Sequence, residues 1–176
     1  MPQSEVQRRP TLLSSCAMAA TAAEARFRIE YPFQPRDSRV VAVDAGAAAV
    51  VCRAFQRRWE GSAHFLTFGA GIPSGGNGCS PEATLHRCDD GSETLLSEEL
   101  EGADVVVMVA TSQGAEAASM IGRACAERSV MTAGVVLTVT GEHTDDAVLA
   151  LRPFAMVLVV SKAEDDLFDL LTALRV

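Results

Sequence analysis

The chain is nearly devoid of lysine: of its 15 basic residues only Lys162 is one, against 23 acids and a formal charge of -8. Binding to nucleic-acid phosphates or an anionic membrane needs clustered Lys and Arg, so that balance excludes both as expected partners. Aromatics make up 5% of the residues, with one Trp and one Tyr, which leaves aliphatic and alanine packing to build the core. No apolar run approaches the roughly 18 residues that a membrane-spanning helix requires. There is no C-x-x-C pair, no G-x-G-x-x-G loop and no internal repeat. The five cysteines, Cys16, Cys52, Cys79, Cys88 and Cys125, are an odd count. Reduced thiols, and with them a cytoplasmic location, are the simplest reading.

What is present is apolar substance. Hydrophobic residues are 48% of a 176-residue chain, ample for one domain core. Asp104 to Ala110 and Val130 to Val139 are apolar, β-branched runs without polar alternation, the pattern of strands buried on both faces of a parallel sheet. Between them Ala115 to Arg128 consists of helix formers, with Ala118, Ile121 and Cys125 on one stripe. Strand, helix and strand make a βαβ unit. The spacing predicts these two strands as central neighbours, flanked by strands at Val40 and Phe154.

Further elements fall into the same alternation. Arg39 to Asp44 reads as a strand opening through Ala45-Gly46-Ala47 onto a helix over Ala48 to Trp59, and His64 to Phe68 as a strand before the loop Gly69 to Gly78. That loop reads either as a nest for a phosphate or as a structureless surface segment. Thr84 to Cys88 is a candidate strand, Glu93 to Glu101 a helix, Thr144 to Leu151 a helix, Phe154 to Val160 a fully apolar strand and Ala163 to Leu174 a closing helix. The fold class predicted is α/β, a three-layer, doubly wound, mainly parallel Rossmann-like sheet over residues 39–176. Residues 1–38 are expected to form a poorly ordered or loosely packed N-terminal extension. Arg8-Arg9 and the Ala/Ser-rich stretch after them give export as the alternative, although only Thr11-Leu12-Leu13 separates the arginines from Cys16, short of the about 7 to 15 apolar residues of a signal core.

Ligands of open α/β sheets gather at the carboxyl ends of the strands. There the chain offers Asp44-Ala45-Gly46, Gly69 and Gly71, and Thr111-Ser112-Gln113-Gly114. Cys79, His86 and Cys88 have no fourth partner nearby, so no metal is expected, and nothing suggests an acid or an oxyanion site to complete a Cys–His nucleophile.

The order of pieces resembles the nucleotide-binding half of the tubulin-like bacterial cell-division GTPases, FtsZ. Leu100-Glu101-Gly102-Ala103-Asp104-Val105-Val106 looks like the family's L-x-G-A-D strand, and Ala133-Gly134-Val135-Val136-Leu137-Thr138-Val139 like its next one. Asp165-Asp166-Leu167 is similar to the N-D-[KR]-L that starts its central helix, so the resemblance adds Asp165 to the candidate binding residues. The family's phosphate signature G-G-G-T-G-[ST]-G stands here as Thr111-Ser112-Gln113-Gly114-Ala115-Glu116-Ala117, and its first loop keeps only Gly46.

The resemblance thus implies an FtsZ/tubulin-like domain with a degenerate phosphate site: non-catalytic, without GTP hydrolysis and without a cofactor, GTP or GDP being the remaining candidates. As a binding or interaction module it would associate with itself or with a tubulin-like relative. The alternative is a Rossmann-like enzyme or small-molecule binder using the loops at Gly46, Gly69 to Gly78 and Gln113-Gly114. Within the degenerate loop, Glu116 is expected to fold back as a capping-box acid with Ser112 or Gln113 and to keep phosphates away.

Overall fold

The structure is a computed structural model that describes residues 36–59, 61–72, 82–138, 144–174 and 176. They belong to one compact unit, Pro35–Val176. Expectations for residues 1–35, for the part of the glycine loop at 73–81, including Cys79, and for 139–143 lie outside the described residues.

Seven strands form one sheet: β1 (Asp37–Ala42), β2 (Ser62–Ile72), β3 (Glu82–Arg87), β4 (Glu93–Leu95), β5 (Val105–Ala110), β6 (Met131–Leu137) and β7 (Val157–Ser161), in the order β4-β3-β2-β1-β5-β6-β7. β2, β1, β5, β6 and β7 run parallel, while β3 and β4 join the β2 side antiparallel. Among the described residues the helices are α1 (Ala45–Phe55), α2 (Leu96–Glu99), α3 (Ala115–Arg128), α4 (Asp145–Leu151) and α5 (Asp165–Leu174).

Every residue of β5 is buried. Alternate positions feed two cores: Val106, Met108 and Ala110 pack under α3, with Ala118, Ile121 and Cys125, while Val105, Val107 and Val109 pack under α1 and α5, with Val51, Ala54, Leu167 and Leu171. A sheet covered on both faces has no need of polar alternation in its central strands. β5 and β6 are adjacent and parallel, flanked by β1 and β7, as their continuous apolar character predicts.

Two expectations are corrected. Glu93–Leu95 is a strand, not the start of a helix, and only Leu96–Glu99 is helical. The ladder to β3, with Thr94 opposite Leu85, gives the β-branched Thr94 and its neighbours backbone partners that a short exposed helix would lack. β2 runs on through Gly69 and Gly71 to Ile72, with a bulge between Phe68 and Ala70, so these glycines are strand residues. Gly69 lies against the His86 ring, where a Cβ would come within 2.6 Å of Nε2. β7, apolar from Val157 to Val160, flanks β6 as an edge of the sheet, with Val157 and Val160 exposed. Periodicity cannot tell a central strand from an uncovered edge.

The reduced reading of all five cysteines is also corrected: Cys52 of α1 and Cys88 after β3 form a disulfide, their Cα atoms 5.2 Å apart. Cys125 is free and buried, its thiol pushed up to about 12 by that burial.

Candidate functional site at the carboxyl ends of β1 and β5

β1 and β5 are neighbours, yet the helices that follow them leave to opposite faces, α1 into one core and α3 into the other. Such a reversal parts the chain at the strand ends and opens a crevice between the two turns. The turn after β1 carries Asp44, and the turn after β5 carries Thr111 to Gly114.

Asp44 joins them. Its extended backbone places the carboxylate as the N-cap of α1, where Oδ1 accepts the N–H of Ala47 at 2.8 Å. The same side chain reaches the other turn. Oδ2 accepts the backbone N–H groups of Thr111 at 2.7 Å, Ser112 at 3.1 Å and Gln113 at 3.2 Å, and Oδ1 accepts the Thr111 hydroxyl at 2.9 Å. Burial raises the carboxyl's pKa, but the hydrogen bonds from Thr111, Ala47, Ser112 and Gln113 outweigh it and hold the group below its ordinary 3.8. Successive backbone N–H groups aimed at one point make an anion cradle. Here the anion is a side chain of the protein itself.

Two glycines make the approach. A Cβ on Gly46 would stand 2.1 Å from Thr111 Oγ1, so only glycine lets the start of α1 close on the buried Thr111. Gly114 is the N-cap of α3 at φ +113°, and a Cβ there would meet Val43 Cγ2 at 2.5 Å. Outward from this joint lies an open cleft of about 780 Å³ lined by Val43, Asp44, Ala45, Phe68, the α3 start from Gln113 to Ala117, and Asp146, Leu149 and Ala150 of α4.

The candidates from the sequence therefore sort themselves. Asp44, Ala45, Gln113 and Gly114 line the cleft, and Gly46, Thr111 and Ser112 build the joint behind it. Gly71 borders it through α3, because a Cβ there would lie 2.9 Å from Glu116 Oε1 and 2.7 Å from Met120 Sδ. Gly69 packs on His86 instead. Asp165 is elsewhere: it pairs with Arg57 at 3.7 Å, in a depression shared with Arg53, Gln56, Glu164 and Phe168. The capping-box role expected of Glu116 is corrected, since α3 starts on Gly114 without any side-chain cap and the amides it was to occupy are held by Asp44. An acid at the end of β1 meets three converging amides head on. A first-turn glutamate on α3 does not.

No family model and no curated protein sequence matches the chain.

One polar cluster escaped the sequence reading altogether. On the α3 side of the sheet, toward the amino ends of the parallel strands, Arg39 of β1 is 4% exposed and Glu99 of α2 is 2% exposed. Arg39 Nε donates to the Glu99 backbone oxygen at 2.6 Å and lies 3.3 Å from its Oε2. Glu99 also meets His64 Nδ1 at 2.6 Å and Arg87 Nη2 at 2.5 Å, and Arg39 Nη1 meets Asp37 Oδ1 at 2.6 Å. Burial raises the Glu99 pKa, yet the hydrogen bonds and charges of His64 and Arg87 win and lower it. Register places Arg39 opposite His64, and Leu66 opposite Arg87, an adjacency no local motif announces. Among the described residues no cluster of three or more His, Cys, Asp or Glu is arranged to hold a metal.

Proposed function

We propose that this chain is a non-catalytic, Rossmann-like domain of FtsZ/tubulin-like kind that has lost nucleotide binding and serves as a binding or protein-interaction module. One observation carries the reading. The amides at Thr111, Ser112 and Gln113, in the turn that corresponds to the family's phosphate signature, already have an acceptor in Asp44. A phosphate would have to displace a carboxylate that is covalently part of the fold and also caps α1, and it would meet that charge at close range. Charge-assisted hydrogen bonds of this type are worth roughly 1.5 to 3 kcal/mol each, so displacement is unfavourable at ordinary nucleotide concentrations.

Thr111-Ser112-Gln113 in place of the glycine-rich signature and the single Gly46 in the first loop support the same reading. Self-association or pairing with a tubulin-like relative follows as the class of partner. The cytoplasmic placement belongs to this proposal too, and the Cys52–Cys88 bond stands against it, because cytosolic thiols are kept reduced. Among the described residues no helix is long and apolar enough to cross a membrane.

The second reading, a small-molecule binder, is favoured by the volume of the cleft, which falls in the range of ligand pockets, about 300 to 1,000 Å³. A thermal-shift panel of GTP, GDP, ATP, NAD and coenzyme A separates the two. No nucleotide should raise the melting temperature, and calorimetric titration should give GTP a Kd weaker than about 100 μM, the affinity at which binding free energy falls below about 5.5 kcal/mol. Saturable micromolar GTP binding would overturn the proposal, and a shift with one of the other ligands would establish the alternative.

A further inference from the structure

We infer that the cleft beside Asp44 is a docking groove for a partner segment that presents a lysine or arginine next to an apolar side chain. The inference rests on the interaction-module reading above and names the kind of partner that the site fits.

Charge gives the first argument. The amides of Thr111, Ser112 and Gln113 at the back of the cleft are filled from within by Asp44 and are not free for a negative ligand. What faces the cleft beyond it is acidic: Glu116 on the first turn of α3 and Asp146 on the first turn of α4, both exposed. Neither carboxylate is hydrogen-bonded or ion-paired to a described residue. Asp44, the third acid, keeps its negative charge well into the acid range. No lysine or arginine occurs among the described lining residues, so the side-chain charge of the groove is of one sign and complements a cation.

The walls give the second. Val43, Phe68, Ala117, Leu149 and Ala150 supply apolar surface to the same groove, and Leu149 is 66% exposed. A large aliphatic left in water beside unpaired carboxylates is matched by a chain segment that brings a methylene stem and a neighbouring apolar residue to the wall while its cationic head reaches the acids. A small hydrophilic polyamine satisfies the charges and leaves the wall bare. A neutral apolar peptide covers the wall and leaves the charges unpaired. The segment proposed meets both.

The test uses the full chain. A random octapeptide display library is selected on the wild type, with the E116Q/D146N variant as counter-selection, and the most enriched peptide is synthesised and titrated by fluorescence anisotropy. The expected result is enrichment of Arg or Lys adjacent to Leu, Met or Phe. The winning peptide should lose at least about fivefold in affinity on E116Q/D146N, as rim charges typically govern, and keep its affinity on E101Q/D169N, which removes the same charge from exposed positions outside the cleft. Melting curves establish that both variants are folded, and both substitutions are isosteric.

Enrichment of sequences without basic residues, or no enrichment over the counter-selection, overturns the inference. So does an equal loss on both variants, which assigns binding to the acidic surface at large. Full displacement of the peptide by spermidine at matching affinity makes the groove a small-cation site and overturns it as well. A GTP titration on the same preparation reads the degenerate-site proposal separately. Weak GTP binding with failed selection leaves that proposal standing and removes this one, whereas tight GTP binding removes that proposal whatever the selection yields.

Discussion

Asp44 Oδ2 accepts the backbone N–H of Thr111 across 67 residues of chain, at 2.7 Å. One carboxylate thereby ties the end of β1 to the end of β5 while capping α1, and both the stability and the ligand preference of this edge depend on it.

Truncating that side chain should destabilise the protein and expose the cradle. D44A is expected to cost about 2 to 4 kcal/mol, from the lost cap and the amides left without an acceptor. Inorganic phosphate or sulfate at tens of millimolar should then raise the melting temperature of D44A and leave that of the wild type unchanged apart from the general salt effect, measured against chloride at equal ionic strength. A variant that ignores both anions would show that the amide cradle collapses without Asp44.

Among the depressed carboxyl pKa values, those of Asp44 and Glu99 help set an acid limit. Asp44 and Glu99 both titrate below their ordinary values of 3.8 and 4.5 in the folded protein, so the unfolded chain takes up protons first as pH falls. The stabilisation they give is complete above those ordinary values and drains away as pH drops through the lower, folded ones. Urea midpoints measured from pH 6 to pH 2 should be level at first and then fall steeply below about 4.5. In D44N/E99Q the fall should be shallower, from a lower plateau.

Breaking the buried ion cluster from one side should cost more than removing it. R39M leaves Glu99 buried and deprived of one cation, and a loss of about 3 to 5 kcal/mol is expected. In R39M/E99M the penalty should be smaller than the sum of the single changes, because the second substitution removes the charge that the first left behind. Strict additivity in the denaturation double-mutant cycle would contradict the packing described for Arg39 and Glu99.

Cys52 and Cys88 close a loop of 36 residues. By loop-closure entropy, C52S/C88S should lower stability by about 2 to 4 kcal/mol, and dithiothreitol should shift the wild-type midpoint to that of the variant while leaving the variant's own unmoved.

Much of the sheet was legible because burial on both faces writes itself into composition. Val105 to Ala110 is apolar at every position and Met131 to Leu137 is buried from Thr132 onward and mostly apolar, and α3 falls at Ala115 to Arg128 as its composition predicts. Asp44 was legible as an acid at a strand end, but not its reach to Thr111, since long-range acceptors carry no local pattern. The α4 residues of the cleft, Asp146, Leu149 and Ala150, read only as parts of a short helix. Asp145 and Asp146 stand in that helix's first turn, and Thr144, its N-cap residue, makes no side-chain cap. The Glu99 cluster was invisible because Glu98 and Glu99 look alike in sequence, and only the turn of α2 buries one of them. The exposed edge at β7 was hidden for the opposite reason: Val157 to Val160 look like core because nothing in a sequence counts the strands.

That edge gives the sheet an order of failure. On the β2 side, the Cys52–Cys88 bridge and the Glu99 ion cluster clamp β2, β3, α1 and α2 to one another, whereas β7 is held along one flank, with Met156 75% exposed at its start. Warmed or pulled, such a sheet peels from β7 inward, so amide protons of β7 exchange with solvent through local openings long before those of β5 do. The cleft straddles this gradient, with β1 as its anchored wall and α4, which leads into β7, as its yielding one.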